Sequence, residues 1–411
     1  MVDDPIVIVG GGLAGARVAE EYRAAGGEAL VIMLSEDGRP PYHRPPLSKG
    51  VLRGEQSVDD ALLRQIEEYD DLLVDLRLAT TAIGVDTDAR EVVVQGGERI
   101  GYGKLVIASG ASPRTLEVPG ADLPAVHAFR TLGDALQVRD EAEQARKAIV
   151  VGGSFIGSEV AASLRLRGLE VTIVEMGPRL APALCSDELS EQLVDFYRDH
   201  GVEVLLNESL ERFEANGRLL TGARMVSGEV IEAFLAVVGI GVEPNTAFLD
   251  GSGIAVDDGV LVDERLAASV SNVYAVGDVA RFDDVVSGRP RRVEHWGNAD
   301  RQGALLGRNL AGGRGSFGEV ATFFTELFDL QLQVYGEPEA ADDFVLRGSI
   351  GEGKLLGFHL VGDRLVGAVL AGYAGDVAEE LKTLIAEKAI LSDRARLADE
   401  SHRPNAVFVA P

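Results

Sequence analysis

Two copies of one glycine pattern restrict this 411-residue chain to very few folds. Residues 6–9 lead into Gly10-Gly11-Gly12-Leu13-Ala14-Gly15, and residues 148–151 lead into Gly152-Gly153-Ser154-Phe155-Ile156-Gly157, about 140 residues later. Each pattern leaves a short apolar run, opens a helix-like stretch, and is followed by a second apolar run that ends in a carboxylate. Residues 29–34 run to Glu36, and residues 171–174 run to Glu175. A strand, a tight turn, a helix start and a strand with an acidic end make up a dinucleotide-binding unit. The glycines permit the turn and close backbone approach, the helix N-terminus faces a pyrophosphate, and the carboxylate accepts from ribose hydroxyls. Gly10, Gly12, Gly15 and Glu36 mark the first site, with Asp37 able to replace Glu36; Gly152, Ser154, Phe155, Ile156, Gly157 and Glu175 mark the second. Two such sites predict a flavin and a nicotinamide held face to face, in a chain that moves electrons.

The second copy departs from the pattern at Ser154, which adds a Cβ at the point of closest approach, while Gly153 keeps the loop pliant. Glu175 favours NADH because a carboxylate there repels a 2′-phosphate. Arg179, four residues on, is the opposing feature. Gly239 and Gly241 would let the chain approach the nicotinamide closely; the simpler reading is a turn.

Composition removes other functions. A net charge of −27 argues against nucleic acid and anionic membrane surfaces as partners. No apolar run reaches the roughly 20 residues needed to span a bilayer. The first strand begins almost at once, so no targeting segment is expected and the expected compartment is the cytoplasm. One cysteine, Cys185, excludes internal disulfides, paired redox cysteines and cysteine-rich metal clusters. No metal site is expected.

Four further stretches extend the pattern: Pro41-Tyr42-His43-Arg44-Pro45-Pro46-Leu47-Ser48-Lys49, Ala108-Ser109-Gly110-Ala111-Ser112-Pro113-Arg114, Val276-Gly277-Asp278 and Arg291-Arg292-Val293-Glu294-His295-Trp296. With them the chain resembles the FAD- and NADH-dependent reductases that feed electrons to [2Fe–2S] ferredoxins of oxygenase systems, within the glutathione-reductase-like flavoprotein superfamily. The resemblance implies FAD at the first fingerprint, contacted by Arg44, Lys49, Ser109, Gly110, Arg114 and Asp278, with Glu294, His295 and Trp296 bordering the isoalloxazine ring. It implies NADH at the second fingerprint and a Lys49–Glu159 ion pair beside flavin N5, where a cation stabilises the reduced ring. Lys49, Glu159 and Trp296 are the implied catalytic group. The blander readings are a basic surface loop for Arg44 and Lys49, a helix N-terminal carboxylate for Glu159 and core packing for Trp296.

The expected fold is α/β: two Rossmann-like dinucleotide-binding domains, the NAD domain inserted in the FAD domain, plus a small C-terminal α+β domain. Residues 1–115 and 246–316 form the first, residues 116–245 the second and residues 317–411 the last. A helical stretch is expected near residues 59–69 and a proline-rich linker over residues 110–126. Strands are expected near 343–347, 355–360 and 364–369, and a helix near 375–387.

The resemblance implies a [2Fe–2S] ferredoxin or similar one-electron carrier as partner and a chain that is a monomer or homodimer. Arg289, Arg291 and Arg292, with Arg308 and Arg314 downstream, could form a basic docking patch on this acidic chain. Where many ferredoxin reductases carry a Trp-bearing FWSDQ-like segment, this chain reads Phe323-Phe324-Thr325-Glu326-Leu327-Phe328, which looks as much like relatives of the apoptosis-inducing factor. Two alternatives stand beside the ferredoxin reading. One is an NADH-dependent reductase of a small molecule or quinone, and the other an NADH-responsive flavoprotein with slow turnover that signals by dimerising.

Overall fold

The computed structural model describes residues 4–410 and divides into two compact units. One gathers the chain up to His43, Asp59–Ser112 and Val242–Ala321; the other gathers Arg44–Val58, Pro113–Gly241 and the chain from Thr322.

In the first unit a five-stranded sheet runs in the order Val273–Ala275, Lys104–Ile107, Ile6–Val9, Val31–Leu34, Val74–Arg77, every pairing parallel. Parallel strands are covered on both faces and read as unbroken apolar runs, and all eight residues of Ile6–Val9 and Val31–Leu34 are buried. The helix Leu13–Ala24 joins those two strands and lays Ala14, Val18, Ala19 and Tyr22 against Ile6, Ile8, Val31 and Met33. It lies close to the helix Trp296–Leu310 because two glycines remove the intervening side chains. A Cβ at Gly303 would stand 2.5 Å from the Ala14 carbonyl oxygen, and one at Gly307 2.6 Å from that of Val18.

The helix expected near residues 59–69 is two short pieces, Asp59–Ala61 and Glu67–Asp71. Between them the backbone is committed elsewhere: Leu63 N–H donates to the Pro41 carbonyl at 2.8 Å, and Leu62 bridges Tyr42. The proline-rich loop takes the hydrogen bonds that a helix would have used.

The second unit repeats the architecture with a parallel sheet in the order Val202–Leu206, Glu170–Glu175, Lys147–Val151, Leu235–Val238, Val126–Ala128. Val126–Ala128, at the end of the expected linker, is an edge strand of this sheet. From Thr322 the chain forms an antiparallel sheet in the order Thr322–Leu327, Leu330–Gly336, Arg364–Ala371, Lys354–Val361, Asp343–Ser349, followed by the helix Gly375–Ala386. The last three strands and the helix lie where the sequence places them. The Thr322–Gly336 hairpin does not announce itself, because its turn carries Phe328 at φ +57° rather than the glycine or asparagine that marks such turns. The two parallel sheets and the C-terminal sheet with its helix make up the expected α/β class. Arg347 closes the C-terminal region: its buried guanidinium donates to the carbonyls of Leu397, His402 and Arg396. Among the described residues no helix is long and apolar enough to cross a membrane, and no group of His, Cys, Asp and Glu could hold a metal ion.

His359 is fully buried on the strand Lys354–Val361, 4.7 Å from the Phe344 ring, and neither ring nitrogen has a hydrogen-bond partner among the described residues. Burial pushes its imidazole from 6.5 down to about 4. The folded value lies below the unfolded one, so as pH falls from 6.5 the unfolded chain takes up a proton that the folded chain refuses. Stability then drops by up to about 1.4 kcal/mol per pH unit. His359→Leu should flatten the acid limb of thermal stability between pH 6.5 and 4.5 and raise the melting temperature at pH 5. Parallel melting curves for the two proteins across that range would contradict the assignment.

Candidate functional site

The two glycine turns are built alike. Gly10 has φ +128° and Gly152 φ +108°. A Cβ on Gly10 would lie 2.1 Å from the Ala108 carbonyl oxygen, and one on Gly152 2.3 Å from that of Gly239. One turn later, a Cβ on Gly15 would lie 2.3 Å from the Gly10 oxygen and one on Gly157 2.1 Å from the Gly152 oxygen. Each strand that feeds a turn has the following strand of its βαβ unit on one side and a later strand on the other, the switch point where α/β sheets bind ligands.

Gly12 is under no such constraint: a Cβ there would meet nothing within 4 Å. As N-cap it offers no side chain to the helix Leu13–Ala24, whose first turn holds no acidic residue. No side chain of the cap or first turn therefore competes with an anion at this helix start. In the second turn Ser154 is the N-cap; its Oγ accepts from Gly157 N–H at 3.4 Å and donates to the Gly239 carbonyl at 3.1 Å. The serine thus ties the helix start to the neighbouring strand. Phe155 is half-buried and Ile156 exposed.

Glu175 ends its strand with both oxygens engaged: Oε2 accepts from Gly153 N–H at 2.6 Å and Oε1 from Gly177 N–H at 2.7 Å. Ala181 N–H donates to the Gly153 carbonyl at 2.7 Å, so residues 175–181 hold Gly153 from both sides. Each carboxylate oxygen still has capacity for a ribose hydroxyl. Arg179 is drawn instead to Asp187, at 2.5 Å. Glu36 is exposed, whereas Asp37 accepts from Tyr42 Oη at 2.8 Å and Arg39 N–H at 3.1 Å within its own loop. Arg114 stands beside the Gly239–Gly241 turn, its N–H donating to the Gly241 carbonyl at 3.0 Å, and Gly241 has φ +96°.

In the first unit Ser109 and Gly110 are locked to Asn245. Ser109 Oγ donates to the Asn245 carbonyl at 2.8 Å, Asn245 Nδ2 donates to the Ser109 carbonyl at 3.0 Å, and Asn245 N–H donates to the Gly110 carbonyl at 3.0 Å. Asp278 is half-buried in the turn Gly277–Val279. Gln302, fully buried, accepts from Gly277 N–H at 2.8 Å, while its Nε2 has no partner among the described residues. An orphaned buried donor beside Gly277–Asp278 fits a ligand carrying an acceptor. Burial pushes the His295 imidazole down to about 4 against the opposing pull of Asp278. Glu294 pairs with Arg292 at 2.6 Å. Trp296 is not core: it is 38% exposed, and its Nε1 donates to His43 Nδ1 at 3.0 Å. Burial holds His43 below its ordinary value, with Asp300 and Glu20 opposing, which keeps that nitrogen an acceptor at neutral pH.

Lys49 and Glu159 both belong to the second unit, and there they form a pair. Residues 47–51 make a turn broken at Lys49, with φ −121° and ψ −110°. Lys49 Nζ reaches Glu159 Oε2 at 2.6 Å; the two residues are 8% and 3% exposed. Ser48 Oγ donates to the same oxygen at 2.5 Å and Thr325 Oγ1 to Oε1 at 2.7 Å. A carboxylate held only by a helix dipole would not need this set of donors. A cavity of about 380 Å³ borders Lys49, lined also by Pro45, Gly50, Arg53, Gln56 and Glu326 among others. Arg44 Nη1 lies 3.5 Å from the Arg130 carbonyl in the same unit.

The basic docking patch is largely neutralised. Arg291 pairs with buried Asp284 at 2.8 Å, Arg292 with Glu294 and Asp258, and Arg308 with Glu21 at 3.0 Å. In a chain with 66 acidic and 39 basic residues, runs of arginine meet carboxylates from elsewhere in the fold.

A family model described as pyridine nucleotide-disulphide oxidoreductase matches residues 4–303, and one described as reductase C-terminal matches residues 322–406. Rhodocoxin reductase of Rhodococcus erythropolis is 33% identical over 394 residues, 96% of this chain and 92% of that one. Putidaredoxin reductase of Pseudomonas putida is 30% identical over 369 residues, 89% and 87% of the two chains. The crystal structure of the covalent putidaredoxin reductase–putidaredoxin complex superposes with a TM-score of 0.93 at 28% identity, covering 98% of this chain and 97% of that one. A ferredoxin reductase from Rhodopseudomonas palustris gives 0.92 at 30% identity, covering 97% and 98%. The chain belongs to the pyridine nucleotide-disulphide oxidoreductase family, with one cysteine and therefore no disulphide of its own.

Proposed function

We propose that this protein is an NADH-dependent, FAD-containing reductase that passes electrons singly to a [2Fe–2S] ferredoxin or similar small carrier. The observation that carries this reading is the pair of matched glycine turns, the first with an open, uncapped helix N-terminus, in a chain aligned almost end to end with rhodocoxin reductase. When bound, FAD supplies the chemistry: it accepts two electrons with a hydride and returns them one at a time.

The chain's own residues bind and orient. In this reading the Gly10–Gly15 turn and the first N–H groups of the helix Leu13–Ala24 hold the FAD pyrophosphate, Glu36 takes ribose hydroxyls, and Asp278 and Gln302 take polar atoms nearer the ring. The Gly152–Gly157 turn and Glu175 hold NADH. Lys49 carries a positive charge that Glu159 balances, and, in the other unit, Trp296 is fixed by His43; these are the residues the reading assigns to the chemistry. The single cysteine supports a reducing compartment, and the reading places the protein in the cytoplasm.

The function is tested by cytochrome c reduction with NADH. Rapid reduction should appear only when a [2Fe–2S] ferredoxin is added. Equal rates without any carrier would contradict the proposal and favour a small-molecule or quinone acceptor.

The role of Glu175 has a sharper test. Glu175→Ala removes the ribose acceptor and the partner of Gly153 N–H together, which should cost about 2 kcal/mol, or about 30-fold in NADH dissociation constant. FAD content should stay unchanged. An unaltered NADH titration would reject the assignment.

A further inference from the structure

The strand Thr322–Leu327 brings three side chains against the elements that carry the buried pair. Phe323 meets the Phe155 ring with centroids 5.0 Å apart, Thr325 donates to Glu159, and Glu326 pairs with Arg53 at 3.4 Å. All of these residues lie in the second unit. Thr325 is 1% exposed and shares its strand face with fully buried Leu327. A hydroxyl at such a core position is costly unless it is bonded, and this one is spent on a carboxylate 166 residues away.

We propose that Thr325, together with Ser48, is a positioning residue for flavin reduction: the two hydroxyls fix the Glu159 carboxylate against Lys49 and so set how much of the Lys49 charge the ring experiences. The proposal rests on the reading that Lys49 faces the flavin.

The physical case is an inventory of lone pairs. Glu159 is nearly sealed from water, so each carboxylate oxygen needs donors from the protein. Oε2 receives Lys49 Nζ and Ser48 Oγ, and Oε1 receives Thr325 Oγ1. Hydroxyls stabilise the carboxylate without adding a second cation to compete with Lys49. Ser48 is itself placed by Ser163 Oγ, which donates to the Ser48 carbonyl at 2.6 Å. Remove Thr325 Oγ1, and Oε1 loses the donor that holds it in a site nearly sealed from water. The carboxylate then turns to recover a donor and weakens its contact with Lys49 Nζ, so less of that charge is cancelled and the reduced ring is favoured. The C-terminal strand would thereby tune the electron-transfer site from outside both glycine turns.

The test is the flavin midpoint potential of the holoenzyme, measured by dye-coupled reduction between pH 6 and pH 8. Thr325→Val keeps the shape and removes the donor. It should raise the potential by about 30 mV, a tenfold change in the two-electron equilibrium. Thr325→Ser should restore the wild-type value, and the NADH dissociation constant should not move. Glu159→Gln, which removes the counter-charge outright, should also give a positive shift. Should Thr325→Val fail to fold, Ser48→Ala decides by the same criterion. An unchanged potential in Thr325→Val with a shift in Glu159→Gln would overturn the proposal alone. Unchanged potentials in both would overturn the flavin-facing reading of Lys49 and the proposal with it.

Discussion

Everything else in this molecule depends on backbone meeting backbone at two turns. Where the strand Ile6–Val9 gives way to its helix, Gly10 approaches the end of the next strand so closely that a single added carbon would collide with a carbonyl oxygen; Gly152 repeats the contact against Gly239. At φ +128° and +108°, side chains are excluded on conformational grounds as well. Those contacts set each helix start at the carboxyl edge of its sheet, at the switch point. The two copies then diverge. The first leaves its N-cap bare, while the second fills it with Ser154 and braces the turn with Glu175. A larger share of the second turn's donors is therefore met by the protein itself.

The Lys49–Glu159 pair is a different kind of constraint. Burying two charges rarely stabilises a fold over an apolar filling of the same volume, so its retention in the interior calls for another reason. In the proposed reading a nearby redox-active ring would supply one: a compensated cation contributes a fixed field without leaving a net buried charge. The hydroxyls of Ser48 and Thr325 make that arrangement tolerable by meeting lone pairs that water cannot reach.

Legibility in the sequence followed the range of the interaction. Gly10, Gly15, Gly152 and Gly157 were readable because the backbone demand they meet is local and leaves a spacing. Glu175 was readable in position, but not in its grip on Gly153 and Gly177, which exists only after the loop folds back. Asn245, Gln302 and Thr325 left no signal, since their partners lie 136, 25 and 166 residues away. The helix expected near residues 59–69 failed for the same reason: its Leu63 N–H and its Ala61 carbonyl are bonded to the proline-rich loop. The arginines near residue 290 looked like a patch because charge pairing across the fold is invisible in a linear run.

The central claim is that the first turn is an anion cradle for FAD, and Gly12 tests it most directly. Its φ of −94° suits any residue, and a Cβ there meets nothing within 4 Å, so Gly12→Glu should fold and its carboxylate should suit the helix N-terminus. The same carboxylate would occupy the place and charge of the pyrophosphate. The account predicts a variant with wild-type circular dichroism and no flavin absorbance near 450 nm after reconstitution. A folded variant that still carries one FAD per chain would contradict it.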